Sequence, residues 1–118
     1  MTWSVEFYQD FIGDFEALSQ IVQTELLAHA KLLQELGPSL GRPHVDTLNG
    51  SRYVNMKELR FHAEQGVWRV AFAFDPKRQA ILLVAGDKSG ANQKRFYRRL
   101  IEIADARFAA HLKALQKK

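Results

Sequence analysis

Cationic side chains beside an aromatic ring are the residues of this chain best suited to chemistry on phosphate. The segment 94–99 reads KRFYRR and holds four of these cations, Lys94, Arg95, Arg98 and Arg99. On a helix Phe96 faces the core and Tyr97 lies about 100° away, nearer the surface. A surface tyrosine among arginines can stack on a base while the guanidinium groups hold phosphates. The alternative is a solvated basic helix face with a tyrosine at its boundary.

A second candidate, Arg69, stands in the segment 67–74, VWRVAFAF. Period-two alternation places its aromatic side chains on one face of a strand and Arg69, Ala71 and Ala73 on the other. Small neighbours would leave a shallow cationic patch that a phosphate or a base can approach. The alternative is an ordinary exposed arginine on a solvated sheet face.

Further basic residues flank these segments. Lys88 follows an apolar run at the mouth of a glycine-bearing loop, where a rigid strand can aim a side chain at a ligand. Lys57 and Arg60 lie on an earlier strand, and Glu58 shares a face with Arg60 and can neutralise it. His62 is a candidate proton carrier because histidine titrates near neutrality. The alternatives are a turn lysine at 88 and a boundary histidine at 62.

Several kinds of site are excluded by composition or spacing. The chain has no cysteine, which rules out disulfides, thiolate metal sites and cysteine nucleophiles. His29, His44, His62 and His111 are scattered, and no pair has metal-ligand spacing. There is no P-loop, dinucleotide fingerprint or nucleophile elbow. We therefore expect no metal and no cofactor.

Charge is distributed unevenly along the 118 residues, which are enough for a single domain, 1–118. Residues 1–50 hold two basic and seven acidic side chains, whereas residues 51–118 hold 15 basic and six acidic ones. A basic second half attracts polyanions, above all nucleic acid. The alternative is that solvated lysines only keep the protein soluble.

Hydrophobic periodicity predicts an α+β domain with an antiparallel sheet, an N-terminal helical region and a C-terminal helix. The predicted order is a strand at 3–7, helical structure over 11–36 with a break or hairpin, an irregular connection at 37–55, strands at 56–62, 67–74 and 80–85, and a helix from Gln93. The continuous apolar run 80–85 predicts a strand in the middle of the sheet. No apolar run approaches the roughly 20 residues of a membrane helix, and the start lacks the features of a signal peptide. We expect a cytoplasmic protein that does not enter membranes.

Three segments in this order resemble a known family. MKELRF at 56–61, GVWRVAF at 66–72 and ILLVAGDK at 81–88, followed by FYRRLI at 96–101, resemble the RelE/HigB-like type II toxins, in the phage-derived Gp49-like branch. The resemblance implies a compact microbial-ribonuclease-like (RelE-like) fold. It also implies metal-independent cleavage of messenger RNA, usually at the ribosome, by attack of the 2′-hydroxyl on the adjacent phosphate. The implied partner is a cognate helix-turn-helix antitoxin.

The resemblance also implies roles for single residues. Arg69 matches the sheet arginine that holds the scissile phosphate, Lys88 matches a basic residue after the central strand, and Tyr97 corresponds to a C-terminal tyrosine. Lys57, Arg60, Lys94, Arg95, Arg98 and Arg99 are the candidate RNA-binding residues. A tyrosine or lysine base needs a lowered pKa, which the cations around Tyr97 could supply.

Two other functions fit the same sequence. The first is a toxin on the same scaffold that binds DNA gyrase and performs no RNA chemistry. The second is a non-catalytic nucleic-acid-binding module, which would bind RNA or DNA in a salt-sensitive way without toxicity.

Overall fold

The computed structural model describes residues 3–88 and 92–117. Its elements are β1 (Ser4–Phe7), α1 (Gln9–Glu16), α2 (Gln20–Leu36), a short 3-10 turn (Gly37–Ser39), β2 (Val45–Thr47), β3 (Met56–Ala63), β4 (Gly66–Phe74), β5 (Gln79–Asp87) and α3 (Gln93–Gln116). The predicted α+β class is confirmed. Of the predicted loop at 86–92, residues 89–91 lie outside the described part of the chain.

Across residues 3–88 and 92–117 the sheet has five strands, in the order β1-β5-β4-β3-β2. The predicted meander β3-β4-β5 is antiparallel, and β5 lies inside the sheet as its apolar run indicates. The expected antiparallel sheet needs one correction, because β1 pairs parallel to β5, with Ser4 opposite Gln79. The sheet is therefore mixed. A short edge strand, β2, also forms within the segment predicted to be irregular, and it pairs with β3.

The predicted break in the helical region lies between Glu16, the end of α1, and Gln20, the start of α2. Ser19 caps α2 by accepting a hydrogen bond at Oγ from the amide of Val22, at 3.2 Å. The side-chain amide of Gln23 donates to the carbonyls of Phe15 and Leu18, each at 3.0 Å, and so satisfies the end of α1. The break turns α1 and α2 into two helices that pack against the same face of the sheet.

Both faces of the sheet are covered. Phe11, Val22, Leu26 and Leu33 of α1 and α2 pack on one face, and Leu100, Ala104 and Phe108 of α3 pack on the other. Ala71 and Ala73 are fully buried beneath α3, since their small side chains let the helix lie close to the strands. The prediction of an open, solvated face around Arg69 is therefore corrected: α3 covers it.

The two helical layers carry opposite charge. The α1 and α2 helices hold five acidic side chains and one basic one, whereas α3 holds six basic and two acidic. The sheet separates these layers. Among the helices in the described residues, none is long and apolar enough to cross a membrane.

Candidate functional site

The centre of the site is the carboxylate of Glu58, on β3. Its side chain is almost fully buried beneath the first turns of α3. Oε1 accepts a hydrogen bond from the Tyr97 hydroxyl at 2.9 Å, and Oε2 accepts one from Nη2 of Arg60 at 3.0 Å. Nε of Arg69 lies 3.4 Å from Oε1. A buried carboxylate is stable when it is paired and hydrogen-bonded in this way.

Strand register explains why these side chains meet. Arg60 on β3 stands directly opposite Arg69 on β4, and Glu58 is two residues along the same face. Two guanidinium groups at a directly opposed pair would repel each other. The Glu58 carboxylate contacts both of them and so offsets that repulsion.

Arg69 is buried, with 8% of its surface exposed. Its Nε donates to the Tyr97 hydroxyl oxygen, and Nη1 donates to the Val67 carbonyl at 3.2 Å. On the β5 side its neighbour is Gly86. A Cβ there would lie 2.9 Å from the Phe96 ring, so the glycine allows α3 to approach the sheet at this point. The guanidinium is therefore held in one position and is not a freely moving surface group.

Tyr97 has its ring beside Arg69, with 5.7 Å between the guanidinium carbon and the ring centroid. Burial raises the pKa of Tyr97, the hydrogen bond to Glu58 and the charge of Glu58 raise it further, and Arg69 opposes them only in part. The expectation that Lys94, Arg95, Arg98 and Arg99 lower this pKa is wrong. Those four side chains are exposed on α3, while the hydroxyl faces Glu58.

Lys88 follows β5, two residues after Gly86, which is the strand partner of Arg69. Its backbone amide donates to the Val67 carbonyl at 3.4 Å, the same oxygen that accepts from Arg69. Its ammonium group donates to Oε1 of Gln93 at 3.1 Å. Gln93 is one helical turn before Tyr97, and the two line one cavity of about 280 Å³ together with Glu58 and Arg60. The fold thus gathers Arg60, Arg69 and Tyr97 around Glu58, while Lys88 contacts Gln93 of the same cavity.

A neighbouring cavity brings together three histidines that sequence reasoning treated as unrelated. His29 of α2, His44 before β2 and His62 of β3 line a space of about 450 Å³, shared with Arg60 and Arg69. No local sequence signal joins them, since the fold alone makes them neighbours. Within the described residues, no three His, Asp or Glu side chains are grouped so that they could hold a metal ion.

Comparison with known proteins identifies the family. The model of the family "Phage derived protein Gp49-like" matches residues 13–109. The chain belongs to this Gp49-like family, among the RelE/HigB-like toxins.

Two curated relatives from Mycobacterium tuberculosis (strain ATCC 25618 / H37Rv) are named as toxins of the HigB kind. The chain is 50% identical over 93 residues to "Putative toxin HigB3", covering 79% of each protein. It is 49% identical over 88 residues to "Putative toxin HigB2", covering 74% of this chain and 43% of HigB2. The chain thus spans less than half the length of HigB2.

The fold of this Gp49-like protein has a solved counterpart. A mutant of the E. coli toxin RelE in the free state superposes with a TM-score of 0.61, covering 86% of this chain and 95% of that one. Sequence identity is 11%, so this likeness concerns the fold alone. It confirms the RelE-like fold expected from the resemblance.

Not every candidate residue reaches the site of this Gp49-like chain. Lys57 alternates with Glu58 along β3 and shares a face with Leu59 and Phe61, against α2. It is separated from Tyr97 by the sheet. Conversely, Glu58 lies at the centre of the site, whereas the sequence predicted only that it neutralises Arg60. Strand alternation put Glu58 on the same face as Arg60, but its contact with Tyr97 joins residues 39 positions apart, which no local pattern indicates.

Proposed function

We propose that this chain is the toxin of a type II toxin–antitoxin pair and cleaves messenger RNA without a metal ion. The names of the two relatives and the RelE-like fold support the toxin assignment. One observation carries the chemistry: the Tyr97 hydroxyl is held between the Arg69 guanidinium and the Glu58 carboxylate. A cation, a hydroxyl and a proton acceptor in contact are the groups that phosphodiester transesterification needs.

In this mechanism Tyr97 relays a proton. A phenol oxygen has one hydrogen to donate and two lone pairs. The hydrogen goes to Glu58 and one lone pair accepts from Arg69, so the second lone pair is available to the 2′-hydroxyl of RNA. As the 2′-oxygen attacks phosphorus, its proton passes to Tyr97 while Tyr97 gives its own to Glu58. No free tyrosinate has to form, which agrees with the raised pKa of Tyr97.

The bond from the 2′-oxygen to phosphorus forms and the bond to the 5′-oxygen breaks, which leaves a 2′,3′-cyclic phosphate. Arg69 stabilises the negative charge that grows on the phosphoryl oxygens. We assign proton delivery to the leaving 5′-oxygen to Lys88, whose ammonium group contacts Gln93 in the cavity that Tyr97 also lines. Lys88 then regains a proton from solvent, and Glu58 releases its proton to solvent through Tyr97.

The partners follow from this assignment as part of the proposal. The exposed cations on α3 (Lys94, Arg95, Arg98 and Arg99) form a basic surface beside the site, suited to the phosphates of messenger RNA on the ribosome. A helix-turn-helix antitoxin silences the protein, and both act in the cytoplasm.

Induced expression in bacteria tests the proposal. We expect growth arrest together with cut transcripts ending in cyclic phosphates, and relief of both by Arg69→Ala or by Tyr97→Phe. Arg78→Ala is the matched control, because Arg78 is an exposed arginine in the turn between β4 and β5. Arrest with intact transcripts would contradict cleavage, and relaxed supercoiling under arrest would favour a gyrase-directed toxin. Salt-sensitive nucleic-acid binding without toxicity would favour a non-catalytic module.

A further inference from the structure

The histidines that line the cavity beside the site have no part in the mechanism above. It measures about 450 Å³, and its wall includes His29, His44, Phe61 and the two arginines of the site. Ligand sites in proteins commonly measure about 300–1,000 Å³ and combine aromatic walls with a few placed polar groups. The cavity has both properties.

The ring of His29 is fixed in orientation and in tautomer. Its Nδ1 lies 2.8 Å from the carbonyl oxygen of Glu25, one turn earlier in α2. A carbonyl can only accept, so Nδ1 carries the hydrogen and Nε2 of the neutral ring keeps a lone pair. The ring also stacks on Phe61, with centroids 5.3 Å apart and planes 28° apart. His29 therefore presents one hydrogen-bond acceptor from a rigid aromatic wall.

The wall continues on the neighbouring segment. The ring of His44 lies 5.6 Å from that of His29, tilted by 53°. Two tilted rings with a gap beside them offer faces on which a flat group can stack. The backbone near His44 is held in place, since the Arg60 amide donates to the His44 carbonyl at 2.7 Å.

We propose that this cavity is a nucleobase subsite, which holds the base of the RNA nucleotide next to the scissile phosphate. The subsite rests on the proposed function, because it deepens the same RNA site. Every RNA base has a flat π-face for the rings and an N–H group for Nε2 of His29. Arg60 and Arg69 line this cavity and also contact Glu58, so one nucleotide can place its base here and its phosphate at the arginines.

Imidazole NMR signals give a direct test. The probe is an RNA trinucleotide with a 2′-deoxy sugar at the reacting position, which cannot be cleaved. We expect the ring signals of His29 and His44 to shift saturably, and an otherwise identical trinucleotide lacking the flanking base to leave them in place. His111 is the internal control, because it pairs with Asp75 and lines a different cavity. Shifts at the Tyr97 ring without shifts at His29 and His44 would overturn the subsite and leave the ribonuclease proposal standing. No shift at any of these rings would overturn both.

A pair of variants tests the same point by catalysis. His29→Leu removes the acceptor, whereas His29→Gln retains a polar side chain. On ribosome-bound messenger RNA, we expect His29→Leu to lower kcat/KM about tenfold with the flanking base present, as loss of one base contact should. It should have no effect when that base is absent, and Gln should restore part of the loss. Tyr97→Phe should slow both substrates equally. An equal loss on both substrates with His29→Leu would show a merely structural role and overturn the proposal.

Discussion

The hydroxyl of Tyr97 lies 2.9 Å from Oε1 of Glu58 and also accepts the Nε–H of Arg69, although the three residues come from three different elements. Because the hydroxyl group joins a carboxylate to a guanidinium, its removal tests whether it relays a proton during cleavage. We expect Tyr97→Phe to reduce single-turnover cleavage by about 10²–10⁴-fold, the usual contribution of positioned proton transfer. Binding of uncleavable RNA should change little. Cleavage at the wild-type rate would exclude the relay.

The proton affinity of Tyr97 can be measured directly. Its pKa is raised above 10.0, so the folded protein holds this proton more tightly than the unfolded chain. The linked stability is present below pH 10 and is lost as pH rises through the higher folded value. We expect the difference in tyrosinate absorbance between wild type and Tyr97→Phe to show one group that titrates above pH 10. A group titrating below pH 9 would restore the view that the basic helix lowers this pKa.

Arg69 should matter for folding as well as for catalysis. Arg69→Ala removes one of the two guanidinium groups that pair with the buried Glu58 carboxylate among the described residues, and it removes the donor to Tyr97. We expect a loss of about 1–3 kcal/mol in the free energy of unfolding, typical of a buried group deprived of a partner. Urea denaturation measures it. The more exposed Arg60 serves as the comparison, and Arg60→Ala should cost less; the reverse order would contradict the burial argument.

Protonation of Asp75, in the turn between β4 and β5, should destabilise the protein at low pH. Burial alone would raise the pKa of this carboxyl, but hydrogen bonds from His111, Gln79 and Lys77 outweigh it, so the pKa is lowered. The stabilisation is therefore present above about pH 4 and is lost as pH falls through the lower folded value. We expect Asp75→Asn to destabilise the protein by about 1–3 kcal/mol at pH 7 and to flatten the acid limb of its stability curve. Asp14→Asn, at an exposed pair with Arg107, should cost under about 1 kcal/mol. An unchanged acid limb in Asp75→Asn would contradict this assignment.

The exposed cations of α3 should act through charge alone. We expect Lys94→Ala and Arg98→Ala each to weaken RNA binding similarly for all sequences. Each should also reduce the slope of log K against log salt by about one. Titrations at several salt concentrations measure both effects. Lys31→Ala, on the opposite layer in α2, is the matched control and should change neither. A loss restricted to particular RNA sequences would indicate base recognition by α3 instead.

Local patterns predicted the parts of this fold that local interactions determine. Alternation along β3 predicted that Leu59 lies on one face and that Glu58 and Arg60 lie on the other. The structure confirms this, and the Leu59 face is the one that α2 covers. The parallel pairing of Ser4–Phe7 with Gln79–Leu82 depends on contacts across more than 70 residues, which no local period encodes. The sheet was consequently expected to be antiparallel.

The chemistry of Tyr97 also depends on contacts that are distant in the sequence. In the chain its neighbours are cations such as Arg98 and Arg99, which suggested a lowered pKa. On the helix those side chains turn outward, and a carboxylate from a distant strand lies at the hydroxyl instead. Tertiary packing also brings together His29, His44 and His62, and their spacing along the chain does not predict this.

The separation of acidic α1 and α2 from basic α3 by the sheet gives the molecule a permanent electric dipole perpendicular to the strands. In the field of a large polyanion such a particle rotates before it arrives, so encounters begin with α3 leading and α1 and α2 trailing. The fraction of collisions in which α3 makes the first contact is then larger than the fraction of the surface that α3 occupies. Added salt removes this advantage because it screens the charges.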